Sequence, residues 1–335
     1  MSTILPSSIC ATYCTLSEYM CAYLKWAEPN LQKNTAESYH TMIYGKIQRY
    51  FSARKELTVG NLTAKDIEKF YDYLFSFDVK ANTVIHYHAI LRRAFHQAFK
   101  DEMIDANPFD RIDRPKKNKF HGENYSEEEL VTLLELVRSD SIYPAIMLAG
   151  GLGLRRSEAL GVRWSRIDWE KRTVLLDTKI VEYDRDGEKI VEPAEEMKNK
   201  SSRRTLPLPE PVYEMLTEEK KKQALYRRMF KGSYNRRYDD YVCVNQLGEL
   251  IKPSYVTQHF SDLLKKYGLR HIRFHDLRHT FASILIGQDV PLINVSNFLG
   301  HSDISTTANI YAHLDKASKQ TSADVITDIF NKAKE

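Results

Sequence analysis

Long apolar segments are missing from this chain of 335 residues. No run approaches the roughly 20 apolar residues that a membrane-spanning helix requires. The N-terminus also lacks the basic region followed by an apolar region that marks a secretory signal peptide. These absences predict a cytoplasmic protein without a membrane anchor.

Cysteine is scarce, and the four present are Cys10, Cys14, Cys21 and Cys243. Three of them lie close together in the sequence, but no downstream pair of Cys or His completes a zinc-binding pattern. Free thiols in a reducing compartment are therefore the favoured interpretation.

A strong charge imbalance and low-complexity tracts are absent as well. The 49 Lys and Arg residues exceed the 45 Asp and Glu residues by only +4. This mild basic excess permits binding to nucleic acid without requiring it, because the local distribution of charge matters more than the sum. The composition is that of an ordinary globular protein, and the length suits two or three domains.

The first third of the chain is predicted to be a small bundle of four amphipathic helices. Thr15 and Glu18 form a capping-box pattern ahead of the first helix, and further helices are expected after Asn34, after Thr63 and from about Asn82. We assign residues 12–112 to this domain.

A basic segment, Arg114–Lys119, follows the bundle within a predicted linker at 113–122. Pro115 disfavours a helix just before it, and like charges repel one another. The segment suits either a solvated loop or a strap that contacts phosphates, and the sequence leaves both readings open.

The second domain, predicted at 123–316, opens with the helix-start signal Ser126–Glu129. A β-branched run from Thr173 to Glu182, a turn at Asp184–Gly187 and a return run predict an antiparallel hairpin. The fold class is therefore mainly α with a small antiparallel β-sheet. Further predicted elements are helices at 127–138, 141–152, from Ser157, 210–229, 253–267, 275–287, 291–299 and 303–314, and a short strand at 204–208.

Arg155 follows Gly153 at the end of an apolar helix, where glycine allows close approach of other elements. Its guanidinium can grip two phosphate oxygens at once, which a lysine cannot do. The neighbouring Arg156 is an alternative candidate for this role. Glu158 is expected to orient the active arginine or to cap the following helix.

His275, Arg278 and His279 lie at helical positions i, i+3 and i+4, so one helical face presents all three. Two histidines four residues apart often bind a metal. Here no HExxH glutamate accompanies them, and an arginine between them would repel a cation, so we expect no metal site.

Lys198 and Lys200 lie between two extended runs, and either could protonate a leaving alkoxide near a phosphate. His301 follows Leu299–Gly300, shortly before the predicted helix that carries Tyr311. A phenol is a poor nucleophile with a pKa near 10 unless neighbouring cations stabilise the phenolate and the pentavalent phosphate.

In this order, the set resembles the catalytic residues of the tyrosine recombinase (phage integrase) family. The resemblance covers about 120–315 with strong motifs and 12–105 with weaker ones. It implies that Arg155 and Arg278 grip the phosphate, that His275 and His301 assist, that Lys198 is the hairpin lysine and that Tyr311 is the nucleophile. Glu158 and His279 would be supporting residues.

Members of this family form a 3′-phosphotyrosyl link, release a 5′-hydroxyl and need neither ATP nor a metal, and no Walker A motif occurs here. The resemblance implies a two-domain clamp on double-stranded DNA, a tetramer on two DNA segments, a directionality factor as a further partner, no cofactor, and integration or excision of a bacterial mobile element. The residues expected to contact DNA are Arg92, Arg93, Arg114, Lys116, Lys117, Lys119, Lys200 and Arg203.

Two features depart from the family minimum, and a third feature, the tail, is similar to the tails of family members. About a dozen residues precede the first predicted helix, so either the recombinase has two domains or an N-terminal arm-binding domain has been removed. Residues 179–196 lengthen the hairpin before Lys198, as in conjugative-transposon integrases, and we hypothesise that they contact DNA or a neighbouring subunit. The tail at 317–335 contains an amphipathic helix that could dock on a neighbouring protomer or on its own domain.

Two rivals share parts of this pattern. A type IB topoisomerase uses the same arginine, lysine, histidine and tyrosine chemistry, but the helical N-terminal domain and the tail favour a recombinase. A DNA-binding regulator with the same fold would not need Tyr311, so the intact set of catalytic candidates argues against it.

Overall fold

The computed structural model describes residues 13–117, 123–185, 187–194, 203–300 and Ala308. The chain divides into two compact units, Met1–His121 and Gly122–Glu335. We call these unit 1 and unit 2, and each is described by itself.

Unit 1 is helical. One stretch of unit 1 predicted as a regular helix contains a π-helical turn, Ile43–Ile47, in which Gly45 has a ψ of −107°. The turn joins two α-helices and keeps both Ile43 and Ile47 fully buried. The helices of unit 1 are α1 (Leu16–Ala27), α2 (Lys33–Met42), α3 (Gln48–Phe51), α4 (Ala64–Phe75) and α5 (Ala81–Lys100).

Capping boxes fix where the helices begin. Thr15 and Glu18 form the predicted box at α1, and Thr63 and Asp66 form one at α4. In each box the hydroxyl accepts from a backbone N–H of the first turn while the carboxylate accepts from the N–H of the cap. Each cap stabilises its helix by about 1 kcal/mol.

The core of unit 1 is rich in aromatic side chains. Tyr19, Phe70 and Phe95 are fully buried. The Tyr19 hydroxyl donates to the Ala94 carbonyl at 2.8 Å, which satisfies the buried phenol and joins α1 to α5. α5 thereby turns one face to this core and the opposite face to solvent.

Unit 2 combines helices with two small antiparallel sheets, so the predicted fold class is confirmed. β2 lies between β1 and β5 in one sheet, and β3 pairs with β4 in the other. The elements are α6 (Glu127–Leu136), α7 (Tyr143–Leu152), α8 (Arg156–Leu160), β1 (Ile167–Asp168), β2 (Thr173–Leu176), β3 (Lys179–Arg185), β4 (Glu188–Ala194), β5 (Arg204–Pro207), α9 (Glu210–Phe230), α10 (Pro253–Lys266), α11 (Asp276–Gly287) and α12 (Leu292–Leu299).

The predicted single extended run from Thr173 to Glu182 is wrong in one respect, because it forms two strands in different sheets. β2 pairs with β5, whereas β3 pairs with β4. Asp177 sits at the break, where its carboxylate contacts Arg163 at 2.9 Å and Arg166 at 2.8 Å. This charged anchor ends the first sheet before the chain enters the hairpin.

The β3–β4 hairpin is fastened at its base to two helices. Gly161 after α8 approaches the Thr178 backbone so closely that an added Cβ would lie 2.4 Å from the Thr178 carbonyl oxygen. Glu182 accepts from the N–H and the hydroxyl of Ser254, both at 2.7 Å, at the start of α10. At the other end, the predicted turn is confirmed by the pairing of Arg185 with Glu188.

The core of unit 2 surrounds α7, whose side chains are buried along almost its whole length. α7 ends at Gly153, which has a φ of +62°. An added Cβ at Gly153 would lie 2.5 Å from Leu299 Cδ2 and 2.6 Å from Phe281 Cδ1. Glycine therefore lets α11 and α12 close over the end of α7. Within the described ranges, no helix has the length and apolar character needed to cross a membrane.

Candidate active site

Arg155 and Glu158 meet at the start of α8. The Arg155 backbone N–H donates to Glu158 Oε2 at 3.1 Å, and its guanidinium donates to Oε1 at 2.6 Å. The Glu158 side chain is 4% exposed, whereas that of Arg155 is 35% exposed. The carboxylate thus fixes the arginine and leaves part of its guanidinium open to a ligand.

Arg156, the alternative candidate, points elsewhere. Its guanidinium donates to the Thr257 hydroxyl on α10. Burial lowers the pKa of Arg156, and the nearby charge of Glu182 on β3 acts in the opposite direction. Arg156 therefore joins α8 to α10 and the hairpin, while Arg155 faces Glu158.

Arg278 on α11 is buried at the same place. Its Nη1 donates to the Gly153 carbonyl and its Nη2 to the Leu299 carbonyl, each at 2.8 Å. The side chain is 2% exposed and lies 3.8 Å from Glu158. Backbone carbonyls at the ends of α7 and α12 thus hold this guanidinium in a single orientation.

Arg204, the first residue of β5, is a third arginine at Glu158. Its Nε donates to the Phe298 carbonyl at 2.8 Å, and its Nη2 donates to Glu158 Oε2 at 3.2 Å. Arg204 was not among the residues predicted from the sequence, which included instead its neighbour Arg203, an exposed side chain. Strand alternation was the available signal, because Arg204 shares its face with the buried Leu206.

We call these four residues the arginine cluster: three arginines, Arg155, Arg204 and Arg278, surround the carboxylate of Glu158. Burial opposes ionisation of Glu158, but the charges of Arg204, Arg155 and Arg278 outweigh it and lower the pKa of the carboxyl group. Burial, together with the charge of Arg155, lowers the pKa of Arg278 to about 9. At neutral pH the cluster therefore has three positive charges against one negative charge, and it attracts an anion.

His275 and His279 stand beside Arg278 at the start of α11. Their ring centroids are 5.2 Å apart at an interplanar angle of 85°. Burial of the ring and the charges of His279 and Arg278 lower the pKa of His275 to about 4, although His275 as a whole residue is exposed at the surface. Burial also lowers the pKa of His279. Both imidazoles are neutral at neutral pH and can accept a proton.

Four of the predicted site residues, Lys198, Lys200, His301 and Tyr311, lie outside the described residues, as does Lys119. Two described residues close to them in the sequence lie at the arginine cluster: Arg204 belongs to it, and Leu299 accepts a hydrogen bond from Arg278. Arg204 follows the segment that contains both lysines, and Leu299 at the end of α12 comes two residues before His301.

The six described residues among the predicted DNA contacts are exposed, and two of them are also paired at the surface. Arg92 on α5 contacts Asp110 at 2.7 Å, and Arg93 donates to the Tyr39 hydroxyl at 3.4 Å. Arg114, Lys116 and Lys117 are exposed, as is Arg203 in unit 2. Within the parts of the chain that the structure describes, no group of three His, Cys, Asp or Glu side chains could hold a metal ion.

Comparisons with known proteins match both units. Residues 123–318 match the phage integrase family, and residues 15–119 match the phage integrase SAM-like domain. A tyrosine recombinase XerC-like protein of Caldanaerobacter subterraneus subsp. tengcongensis is 30% identical over 285 residues, which cover 82% of this chain and 73% of that protein.

Solved structures share the fold. The Tn1549 transposon integrase in complex with a circular intermediate DNA has a TM-score of 0.76 at 19% identity, covering 93% of this chain and 99% of that chain. A lambda integrase tetramer bound to a Holliday junction has a TM-score of 0.61 at 18% identity, covering 86% of this chain and 78% of that chain.

Proposed function

This chain belongs to the phage integrase family and is a tyrosine site-specific recombinase, and we propose that its arginine cluster holds the DNA phosphate that Tyr311 attacks. The observation that carries this proposal is the convergence of Arg155 and Arg278 on one buried carboxylate. The two guanidiniums come from positions 123 residues apart in the sequence (278 − 155), so the fold has brought them together.

Phosphate binding follows from the charge of the cluster. Glu158 neutralises only part of the positive charge, and a phosphate would supply the missing negative charge. Guanidiniums that are already oriented stabilise the charge of a pentavalent phosphate without reorganising during the reaction. Arg155, with its partly exposed side chain, is the first contact for the incoming phosphate.

The proposed reaction exchanges one phosphodiester for another. The Tyr311 oxygen forms a bond to phosphorus while the bond between phosphorus and the 5′-oxygen breaks. That oxygen takes a proton from Lys198 or Lys200 acting as general acid. Attack by the 5′-hydroxyl of a partner strand reverses these steps, so the reaction needs no ATP.

The histidines complete this assignment. His275 has a pKa well below its usual value and is neutral near pH 7, so it can accept the phenol proton or a hydrogen bond from it. We assign His301 to phosphate contact and His279 to support of His275, whose ring it contacts.

The remaining predictions from the sequence complete the functional proposal. We assign 12–112 to core-site binding, 113–122 to the linker, 123–316 to catalysis and 317–335 to a tail that docks on a neighbouring protomer. The predicted DNA contacts that the structure describes are exposed, which supports their proposed contact with phosphates. We further propose a clamp of both units on double-stranded DNA inside a bacterial cell.

A mobile element is the proposed substrate. Support comes from the likeness in fold to a transposon integrase bound to a circular intermediate DNA. A tetramer is the proposed assembly, in line with the lambda integrase tetramer on a Holliday junction. A directionality factor would bias integration against excision. The extended β3–β4 hairpin is proposed to contact DNA or a neighbouring subunit, and deletion of residues 183–190 should then impair synapsis.

Covalent trapping tests the reaction. The protein is incubated with nicked suicide duplexes made from candidate element ends, and an adduct that resists SDS is measured. We expect wild-type protein to form the adduct, Tyr311→Phe to form none, and Arg155→Ala to form it on the order of 10³-fold more slowly. An adduct that persists in Tyr311→Phe would contradict the assignment of the nucleophile. Tight binding without any adduct would favour a DNA-binding regulator.

A further inference from the structure

Two arginines hold the C-terminal end of α12. Arg204 donates to the Phe298 carbonyl and Arg278 donates to the Leu299 carbonyl, each at 2.8 Å. The last carbonyls of a helix lack partners within the helix and carry the negative end of its dipole. Guanidiniums therefore suit this position, and both come from the arginine cluster.

Arg278 approaches Glu158 only to 3.8 Å, whereas Arg204 forms a hydrogen bond with it. The Nη2 of Arg204 donates to Glu158, so a single side chain joins α12 to the carboxylate that also binds Arg155. Its backbone is fixed independently, because Arg204 pairs with Leu176 in the sheet of β2 and β5. Replacing the side chain would thus loosen α12 while leaving the strand paired.

The chain that leaves α12 leads to the proposed catalytic residues His301 and Tyr311. We propose that Arg204 is a positioning residue that holds the end of α12, after which this segment follows in the sequence, against the phosphate-binding cluster. The inference rests on the proposed function, since it concerns the same cleavage reaction. Arg204 acts through α12 and Glu158, so we distinguish it from the catalytic residues.

An arginine is needed because the two acceptors lie in different directions. Nε reaches the Phe298 carbonyl while Nη2 reaches Glu158. A lysine has one nitrogen at the end of a flexible chain, so it would keep the charge but hold only one partner well. Arg204→Lys should therefore recover part of the function that Arg204→Gln loses.

The experiment compares single-turnover cleavage of a suicide duplex at saturating DNA. We expect Arg204→Gln to cleave about 10- to 100-fold more slowly, because small misplacements of reacting groups have effects of this size. Arg204→Lys should lie between it and wild type. Arg138→Gln is the matched control, since Arg138 is exposed and pairs with the exposed Glu218 in the same unit, and its rate should equal that of wild type.

DNA affinity and thermal melting separate positioning from a general loss of structure. Both should stay near the wild-type values in Arg204→Lys, while its cleavage rate falls. The inference would be overturned if rate, affinity and melting temperature fell together in both variants. It would also be overturned if Arg204→Gln cleaved at the wild-type rate.

A modified substrate distinguishes whether Arg204 supports attack by the nucleophile or protonation of the leaving oxygen. Sulfur in place of the bridging 5′-oxygen is a leaving group that needs no general acid, so it should rescue a variant that lacks its acid, Lys198→Ala or Lys200→Ala. Arg204→Gln should remain slow on this substrate, because α12 leads to the nucleophile. Full rescue of Arg204→Gln would show that Arg204 supports the general-acid lysine and not the nucleophile, and it would overturn the inference.

A double-mutant cycle gives an independent measure. His301→Ala and Arg204→Gln should show strongly non-additive losses, because both act at the end of α12. Additive losses would count against the inference. Failure of the proposed function is recognised separately, since wild-type protein would then form no adduct that depends on Tyr311.

Discussion

Unit 1 and unit 2 use arginine in opposite ways for the same proposed ligand, the DNA backbone. Arg92 on α5 has a side chain that is 56% exposed and one surface ion pair with Asp110. Arg278 has a side chain that is 2% exposed, with both terminal nitrogens bound to backbone carbonyls. Exposed arginines add affinity through charge, whereas buried and oriented arginines can act on one particular phosphate.

The difference also has an energetic side. Surface ion pairs contribute about 0–1 kcal/mol, so the pair of Arg92 with Asp110 adds little to the stability of unit 1 and its loss costs little. Buried charges are costly to desolvate, and removing one partner leaves the others uncompensated. The arginine cluster therefore depends on Glu158 far more than α5 depends on Asp110, and substitutions can test that asymmetry.

The largest effect is expected from Glu158→Gln. Three guanidiniums would lose the carboxylate that they share, and the free energy of unfolding should fall by about 3 kcal/mol. Adduct formation should fall strongly as well, because Arg155 would lose its anchor. Asp110→Asn is the counterpart in unit 1 and should change stability by less than about 1 kcal/mol. Urea unfolding measures both, and equal losses would contradict the contrast.

Gly153→Ala should come next, with a loss of about 2 kcal/mol. Its φ of +62° is strained for alanine, and the new Cβ would meet Leu299 and Phe281. Gly268→Ala is a matched control with a φ of +65° and no neighbour within 4 Å, so it shows the backbone effect alone. Cleavage should suffer only in Gly153→Ala, which displaces α12. Similar losses of stability in both variants would argue against tight closure at Gly153.

A smaller effect concerns pH. His275 has a pKa of about 4 in the folded protein, against 6.5 for the ordinary side chain. The unfolded chain therefore binds the proton first, and stability present above pH 6.5 is lost as the pH falls towards 4. His275→Asn should remove part of this loss. Urea unfolding at several pH values measures this loss of stability. Parallel curves of unfolding free energy against pH for the variant and wild type would refute a depressed pKa of His275. Arg273, Asp276, Arg278 and His279 face this ring and remain in both proteins.

The smallest effect is expected from Arg92→Gln. Loss of one phosphate contact should weaken DNA binding a few-fold and reduce the slope of log K against log salt by about 1. Cleavage at saturating DNA should be unchanged, unlike in the cluster variants. Filter binding over a range of salt concentrations tests this prediction, and a loss of cleavage at saturation would place Arg92 closer to the chemistry than we propose.

Sequence patterns predicted the local features of the fold well. Capping boxes at Thr15 and Ser126 begin helices as expected, since a cap depends on only four consecutive residues. The turn after Asp184 is likewise local, and Asp184 accepts from the Gly187 N–H at 3.0 Å. Signals of this kind lie within the segment that they organise.

Features that depend on distant contacts were harder to predict. The break at Asp177 arises because Arg163 and Arg166 bind its carboxylate. The π-helical turn at Ile43–Ile47 buries two isoleucines that also lie at ordinary helical spacing, so the sequence pattern gives no sign of the turn. Arg204 was missed because its contacts with Glu158 and Phe298 join three separate parts of unit 2.

The long reach of the arginine cluster has a consequence for synthesis of the protein. The hydrogen bond from Arg278 to Gly153 spans 125 positions, and that from Arg204 to Phe298 spans 94. Contacts of such high sequence separation form only after the intervening chain has folded. A nascent chain on the ribosome therefore lacks one of the two carbonyls that orient Arg278 until Leu299 has emerged. If unit 1 binds DNA as we propose, a growing chain would bind DNA before it is able to cut it.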